Sequence, residues 1–324
     1  MTNIEKALAL INTFATTDTE KAASLLAEGY IQHNLAFGTG RDAFVGAVQA
    51  LGAAPVKTTV NNIRAFEDGD KVFLQTVYNF AGAGEQVAFD IFRFDEDGKI
   101  AEHWDNLADK AEPNPSRHTQ IDGTMEKKDV DKEVTRKVVS AFVGDILRGE
   151  NPDNITSYFD GDNYIQHNTG IADGLSGLGK ALAALAEQGI QMIYNKTYMV
   201  LADGNYGLAV SEGTFGGAPT SYYDLFRVED GKIAEHWTLW RRSPIKRPGQ
   251  TRTVSSDYGP YITKREAVTS RFCVIYDMLH KLLHSRTQSV IILEDEGDRI
   301  GQRFIIKGNH ANVLEQHFCT AVLG

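Results

Sequence analysis

The 324-residue sequence predicts an α+β protein in which one domain is written twice. Three observations carry that expectation. Tyr30-Ile31-Gln32-His33-Asn34 returns as Tyr164-Ile165-Gln166-His167-Asn168. Phe89-Asp90-Ile91-Phe92-Arg93 with Gly98-Lys99-Ile100-Ala101-Glu102-His103-Trp104 returns as Tyr223-Asp224-Leu225-Phe226-Arg227 with Gly231-Lys232-Ile233-Ala234-Glu235-His236-Trp237. In each copy helical periodicity comes first and strand alternation second, the order of a domain whose helices cover one face of an antiparallel sheet.

The elements follow in order. Ile4, Ala7, Leu8 and Ile11 share a helical face that Phe14 extends. Asp18 or Thr19 caps a second helix through Leu25-Leu26, with Tyr30 to Asn34 as its exit. Gly40-Arg41-Asp42 opens a third helix through Phe44 and Val48. After Pro55 the chain turns to β-branched and apolar residues. Strands are expected over Thr58–Phe66, Val72–Phe80, Val87–Phe94 and Ile100–Leu107, punctuated by turns at Glu67–Asp70, Ala81–Gly84 and Asp95–Gly98. The second copy repeats the plan: Val130–Leu147 for the first helix, Leu178–Leu185 for the third, and turns at Asp203–Asn205 and Glu229–Gly231. The domain boundaries expected are 1–110, a Pro-containing linker at 111–129, 130–240, and a tail at 241–324. The tail opens on a basic connector (Arg241, Arg242, Lys246, Arg247, Arg252), then suggests a helix over Lys264–His284 and strands over Ser289–Leu293 and Arg303–Lys307. It carries no motif, and a fused or shifted reading frame would produce such a junction.

Composition narrows the class. Each repeat, at roughly 120 residues, is long enough for its own core. A net charge of -10 argues against a nucleic-acid partner, which calls for a basic face. Two cysteines, Cys273 and Cys319, make no disulfide framework. The N-terminus does not read as a signal peptide, and no apolar run approaches the roughly 20 residues that span a bilayer. A cytoplasmic protein with no membrane partner is expected.

Alternation on the last strand of the first copy puts His103 and Asp105 on one face and Glu102 and Trp104 on the other. Asp90 and Phe92 share a face on the neighbouring strand. A carboxylate facing the helices is desolvated and its pKa raised, as a general base near neutral pH requires, and the imidazole beside it orients it or donates to a developing oxyanion. His33 and Asn34 are candidate polar groups of the same pocket. The plain alternatives are an exposed His/Asp pair, an Asp90 bonded to Arg93, and a satisfied histidine at a helix exit. The matching second-copy residues are His167, Asn168, Asp224 and His236. The copies part after Trp104 and Trp237: Asp105 follows the first, Thr238 the second.

This series of motifs resembles SnoaL-like polyketide cyclases of the nuclear transport factor 2-like superfamily, which includes ketosteroid isomerases and limonene epoxide hydrolases. The resemblance covers residues 1 to about 108 and 130 to about 240. It implies two cone-shaped domains, each a curved antiparallel sheet around helices, plus an unrecognised C-terminal segment. It also implies acid/base chemistry without cofactor or metal on a small apolar carbonyl compound: aldol cyclisation, isomerisation or dehydration. By position the base is Asp105 with His103 beside it; Asp90, Phe92, His33 and Asn34 bind substrate. The second copy is degenerate, since Thr238 cannot act as the carboxylate. A non-catalytic ligand or protein-interaction module is the alternative. Superfamily members pair through the outer sheet face, so Trp104 and Trp237 point to an intramolecular pseudo-dimer, with a homodimer also open.

Overall fold

The computed structural model describes residues 1–34, 37–242, 290–292 and 305–307. It has the α+β class that the sequence predicts. Helices α1 (Asn3–Thr16) and α2 (Thr19–Leu25) lead into strand β1 (Leu26–Gln32), helix α3 (Arg41–Gly52), and strands β2 (Thr59–Asp68), β3 (Lys71–Asn79), β4 (Gln86–Phe94) and β5 (Ile100–Asp109). The second half has α4 (Lys132–Phe142), β6 (Ile165–Gln166), α5 (Gly174–Glu187), β7 (Met192–Asp203), β8 (Tyr206–Phe215), β9 (Ala218–Glu229) and β10 (Lys232–Arg242). The strands form two five-stranded sheets in one order, β1-β5-β4-β3-β2 and β6-β10-β9-β8-β7. In each, the first strand runs parallel to its neighbour and the remaining pairs are antiparallel.

Local chemistry explains the helix starts. Thr2 Oγ1 accepts from Glu5 N and the Glu5 carboxylate accepts from Thr2 N, a reciprocal box that satisfies two donors otherwise left open. Asp18 caps α2 by accepting from Lys21 N at 2.8 Å. One expectation is corrected: Tyr30 to Gln32 is strand, not helix exit, because β1 pairs in parallel with β5, Gln32 opposite His103.

The helices α1 to α3 bury Leu10, Phe14, Phe44 and Val48 against Leu74, Ala88 and Phe92 of the first sheet. In the second half, Val139 and Phe142 of α4 pack on Ala209 and Phe226. The opposite faces of the two sheets share one apolar cluster that includes Phe73, Phe89, Trp104, Leu208, Tyr223 and Trp237. Trp104 and Trp237 are 3% and 1% exposed. Polar contacts cross the same boundary. Asp68 at the end of β2 pairs with Arg136 and Lys132 of α4 at 2.8 and 3.0 Å.

Residues 111–129 do not hang free. Arg64 of β2, 3% exposed, stacks over Trp237 at 4.6 Å and donates to the carbonyls of Ile121 and Asp122 at 2.9 and 2.6 Å. Trp237 Nε1 donates to Asp122 O at 2.9 Å, and Asn114 Nδ2 donates to Gln166 O at 2.6 Å. Gly123 has φ +106, and a Cβ there would lie 2.2 Å from Glu235 Oε1. Only glycine fits that approach. β11 (Val290–Ile292) and β12 (Ile305–Lys307) form an antiparallel pair inside the two expected tail strands, in a second unit that begins at Lys264. The expected tail helix, and Lys246, Arg247 and Arg252 of the connector, lie outside the described residues. Among the described residues no helix is long and apolar enough to cross a membrane.

Glu126 supplies a pH prediction. Its side chain is 8% exposed, and burial, then the charge of Asp203, raise its pKa to about 7 against the pull of Lys128. The folded state therefore holds the proton more tightly than the unfolded chain. Its favourable contribution is complete below the unfolded value of 4.5 and is lost as pH rises through about 7. Thermal melts should show Glu126→Gln more stable than the parent by on the order of 1 kcal/mol at pH 8, after allowance for screening, with no gain at pH 4.5. An equal gain at both pH values would contradict this.

Candidate functional site

The pocket lies between the helices and the inner face of the first sheet. Phe14, Phe44, Tyr78, Phe80 and Leu107 form its apolar wall, and Gln32, Asp90, His103 and Asp105 supply its polar groups. It is a recess of about 420 Å³ continuous with solvent, of which about 20 Å³ accommodates the centre of a water molecule. That is room for roughly one water with the side chains as they stand.

Strand register brings the polar groups together. On β4 and β5, Asp90 is opposite Asp105 and Phe92 is opposite His103. His103 Nε2 lies 3.0 Å from Asp90 Oδ1 and 3.9 Å from Asp105 Oδ2. Tyr78 donates to Asp90 Oδ2 at 2.9 Å, and Asn34 Nδ2 donates to Asp105 Oδ2 at 3.0 Å. Phe92 is not part of the wall; it stacks beneath His103 with ring centroids 4.3 Å apart.

Gln32 decides the tautomer of His103. The backbone N–H of Asn34 points at Gln32 Oε1 at 2.9 Å, which fixes the other end of the amide as NH₂. That NH₂ faces Tyr30 OH at 3.2 Å and His103 Nδ1 at 2.9 Å. Nδ1 is thus an acceptor, and Nε2 carries the proton that goes to Asp90. Burial lowers the pKa of His103, but the Asp90 hydrogen bond and the charges of Asp105 and Asp90 outweigh it and the net shift is upward. Protonation of Nδ1 must displace the Gln32 amide.

Asp105 has the features of a base. Burial pushes its pKa up, His103 pulls it down, Asp90 pushes it up, and the Asn34 hydrogen bond and Arg241 pull it down; the net shift is upward. Its Oδ1 is buried with no hydrogen-bond partner among the described residues. A buried acceptor left open is uncommon, and here it sits on a pocket-lining residue.

The second half repeats the ring of bonds without the carboxylate. His236 Nε2 lies 3.0 Å from Asp224 Oδ1, Gln166 Nε2 lies 3.3 Å from His236 Nδ1, and Asn168 N donates to Gln166 Oε1 at 2.9 Å. Tyr194 donates to Asp224 Oδ2 at 3.0 Å. Thr238 is opposite Asp224, the place Asp105 holds opposite Asp90. Asn168, with no carboxylate to meet, accepts from Gly170 N.

Two expected pocket residues lie elsewhere. His33 stacks on Trp104 with centroids 4.7 Å apart and faces Glu102 at 3.6 Å, on the opposite side of the sheet. His167 stacks on Trp237 at 4.5 Å, with Nε2 on Glu235 at 2.8 Å and Nδ1 on Thr119 O at 2.8 Å. The reason is strand alternation: Tyr30, Gln32 and Asn34 share one face and His33 takes the other. The same alternation would have found Gln32, which the sequence reading missed.

Among the described residues, two donor sets have the makeup of a metal site. Asp90–His103–Asp105 and His118–Asp122–His167 each bring ligand atoms within 4.8 Å of one another. Both ring nitrogens of His103 and of His167 already meet hydrogen-bond partners, and His118 Nε2 meets Asp173 at 3.1 Å.

Residues 7–103 match the SnoaL-like domain family. No curated protein matches the chain. Among solved structures it is similar to a nuclear transport factor 2-like protein of unknown function from Cytophaga hutchinsonii (17% identity, 33% of this chain and 91% of that one, TM-score 0.29). It is also similar to IdmH, a proposed polyketide cyclase from Streptomyces antibioticus (20% identity, 33% and 92%, TM-score 0.29). A third is a limonene-epoxide-hydrolase-like epoxide hydrolase from M. tuberculosis (18% identity, 33% and 82%, TM-score 0.29). The match to the SnoaL-like domain family falls on the first repeat, where the motifs suggest it.

The tautomer is checkable. Long-range ¹H–¹⁵N spectra at pH 8 should show His103 protonated at Nε2 alone, and Asp90→Asn should lower its pKa. A proton on Nδ1 at that pH would reverse the assignment of the Gln32 amide.

Proposed function

We propose that the first repeat is a cofactor-independent acid/base enzyme acting on a small carbonyl compound. The observation that carries this reading is the open Oδ1 of Asp105 in an apolar recess. Oδ1 takes a proton from the carbon next to the carbonyl. The C–H electron pair moves into the C–C bond, and the carbonyl π pair moves onto oxygen as an enolate. Where a β,γ double bond extends the enolate to a dienolate, returning the proton to the γ carbon moves the double bond into conjugation and gives isomerisation. Attack of the enolate carbon on a second carbonyl, with the proton passed to the new alkoxide, gives aldol closure. Asn34 holds the carboxylate in place, and His103 is held beside it by Asp90. The small free volume means that Phe14, Phe44 or Phe80 must repack to admit a substrate of ordinary size. In the second repeat, the same polar groups with Thr238 in the place of Asp105 favour a pocket that holds a ligand without chemistry, or a purely structural role.

Deuterium incorporation from solvent into 2-tetralone, followed by NMR with the full chain, tests the base. Asp105→Asn should lower the rate about 100-fold or more. Equal rates in variant and parent would end the proposal. Stability should move the other way. The raised pKa of Asp105 means that its favourable contribution, present at low pH, is lost as pH rises through the folded value. Asp105→Asn should therefore melt a few degrees higher than the parent at pH 7 and show a smaller gain at pH 4.

We also infer that the two repeats pair within one chain through the face that holds Trp104 and Trp237. With that face covered, the full chain should sediment as a monomer at micromolar concentration. A homodimer that Trp104→Ala dissociates would mean the face pairs between chains instead.

A further inference from the structure

The end of β10 lies close to the first pocket, although β10 belongs to the second repeat. Asn106, the residue after Asp105, makes the junction. Its Nδ2 donates to Ser221 O and Leu239 O, both at 3.2 Å, and its Oδ1 accepts from Ser221 Oγ at 2.8 Å. Asn106 is 1% exposed, so this is a buried, fully occupied polar contact between β5 and the β9–β10 edge. Arg241 sits opposite Ser221 on β10. Its position is therefore tied to the strand that carries Asp105.

From there the guanidinium reaches the first site. Arg241 Nη1 lies 3.4 Å from Asn34 Oδ1, and Asn34 donates its Nδ2 to Asp105 Oδ2 at 3.0 Å. The order is cation, amide, carboxylate, with Asp105 as the member that lines the recess. The Asn34 contact is long and involves a neutral oxygen, so it leaves most of the guanidinium donors unused. Arg241 is exposed, with access from solvent. The arrangement is one-sided. The residue the same distance past the repeated histidine in the first copy is Ala108, which has no charge to offer the second pocket.

We propose that Arg241 is a substrate-binding residue that the second repeat supplies to the first, and that its ligand is a carboxylate on the carbonyl compound entering the pocket. The identity of that compound as a substrate rests on the reading of Asp105 as the base. The planar guanidinium matches two carboxylate oxygens, and an acid held there places the adjoining carbon skeleton toward Asp105. Two kinds of support are independent of any ligand: the built junction at Asn106, and the downward pull that Arg241 exerts on the Asp105 carboxyl. The second copy, without a carboxylate of its own at Thr238, would then contribute to the reaction through its last strand.

The test uses the full chain and two probes of the same shape. Cinnamate and benzalacetone differ in having a carboxylate or a methyl ketone at the end of one styryl group. Calorimetric titration should show cinnamate binding weakened about tenfold by Arg241→Gln and partly retained by Arg241→Lys, with benzalacetone changed less than about twofold. Without ligand, the ¹³C titration of the Asp105 carboxyl should move to higher pH in Arg241→Gln. Equal losses for both probes, no loss for cinnamate, no binding of either probe to the parent, or an unmoved Asp105 titration would each overturn the proposal. The base reading fails separately. In that case Asp105→Asn keeps the deuterium exchange rate of the parent while the discrimination between probes still depends on Arg241.

Discussion

The two-residue period of β5 is the constraint on which the rest of the molecule depends. His103, Asp105 and Leu107 point toward the helices, and Glu102, Trp104 and Asn106 point toward the second sheet. One strand therefore builds the pocket and the contact between repeats together. A slip of one residue would bury the carboxylate in the apolar cluster and put Trp104 in the pocket. Register is held from both sides: by Asp90 opposite Asp105 within the sheet, and by the burial of Trp104 and the bonds of Asn106 outside it. Packing outside the pocket thus sets where the Asp105 carboxylate stands.

The polar groups under the pocket form an ordered series rather than a loose cluster. Backbone N–H of Asn34 orients Gln32, Gln32 orients His103, and His103 and Tyr78 together satisfy Asp90. Each donor meets one acceptor, which is the condition for keeping such groups in a low-dielectric interior. Asp105 stands at the edge of the series, with one oxygen held by Asn34 and the other open. The second repeat makes the distinction visible. Its Gln166, His236, Asp224 and Tyr194 hold the same relation with Thr238 in place of the carboxylate. The series is therefore part of the fold, and Asp105 is an addition that the fold tolerates at a cost in desolvation.

Much of this was legible in the sequence where a periodicity could be applied. The duplicated motifs, the hairpin turns and the facing of His103, Asp105 and Trp104 follow from alternation alone. The error came where the element type was misread. Taking Tyr30–Asn34 as a helix exit removed the two-residue period, so His33 was placed in the pocket and Gln32 was overlooked. β1 is short and runs parallel to its partner across an intervening helix and three strands, and no local signal marks such a pairing. Likewise, Pro113 and Pro115 marked residues 111–129 as a linker, but the sequence could not show that carbonyls in it would satisfy a buried arginine from β2.

Arg241 belongs to a third category. It reads as the first residue of a basic connector, and its place near Asn34 depends on the packing of one repeat on the other. Duplication produces two equal pockets only when the copies are related by a symmetric contact and carry equal residues. Here the contact pairs equivalent faces, but position by position the partners differ: Asp105 against Thr238, Ala108 against Arg241. Because the first site borders the second repeat's last strand, a charge gained in that copy acts on the environment of Asp105. A chain of this kind can concentrate acid/base groups in one pocket while keeping both folds intact, because the apolar face that each sheet must cover does not depend on the residues that differ.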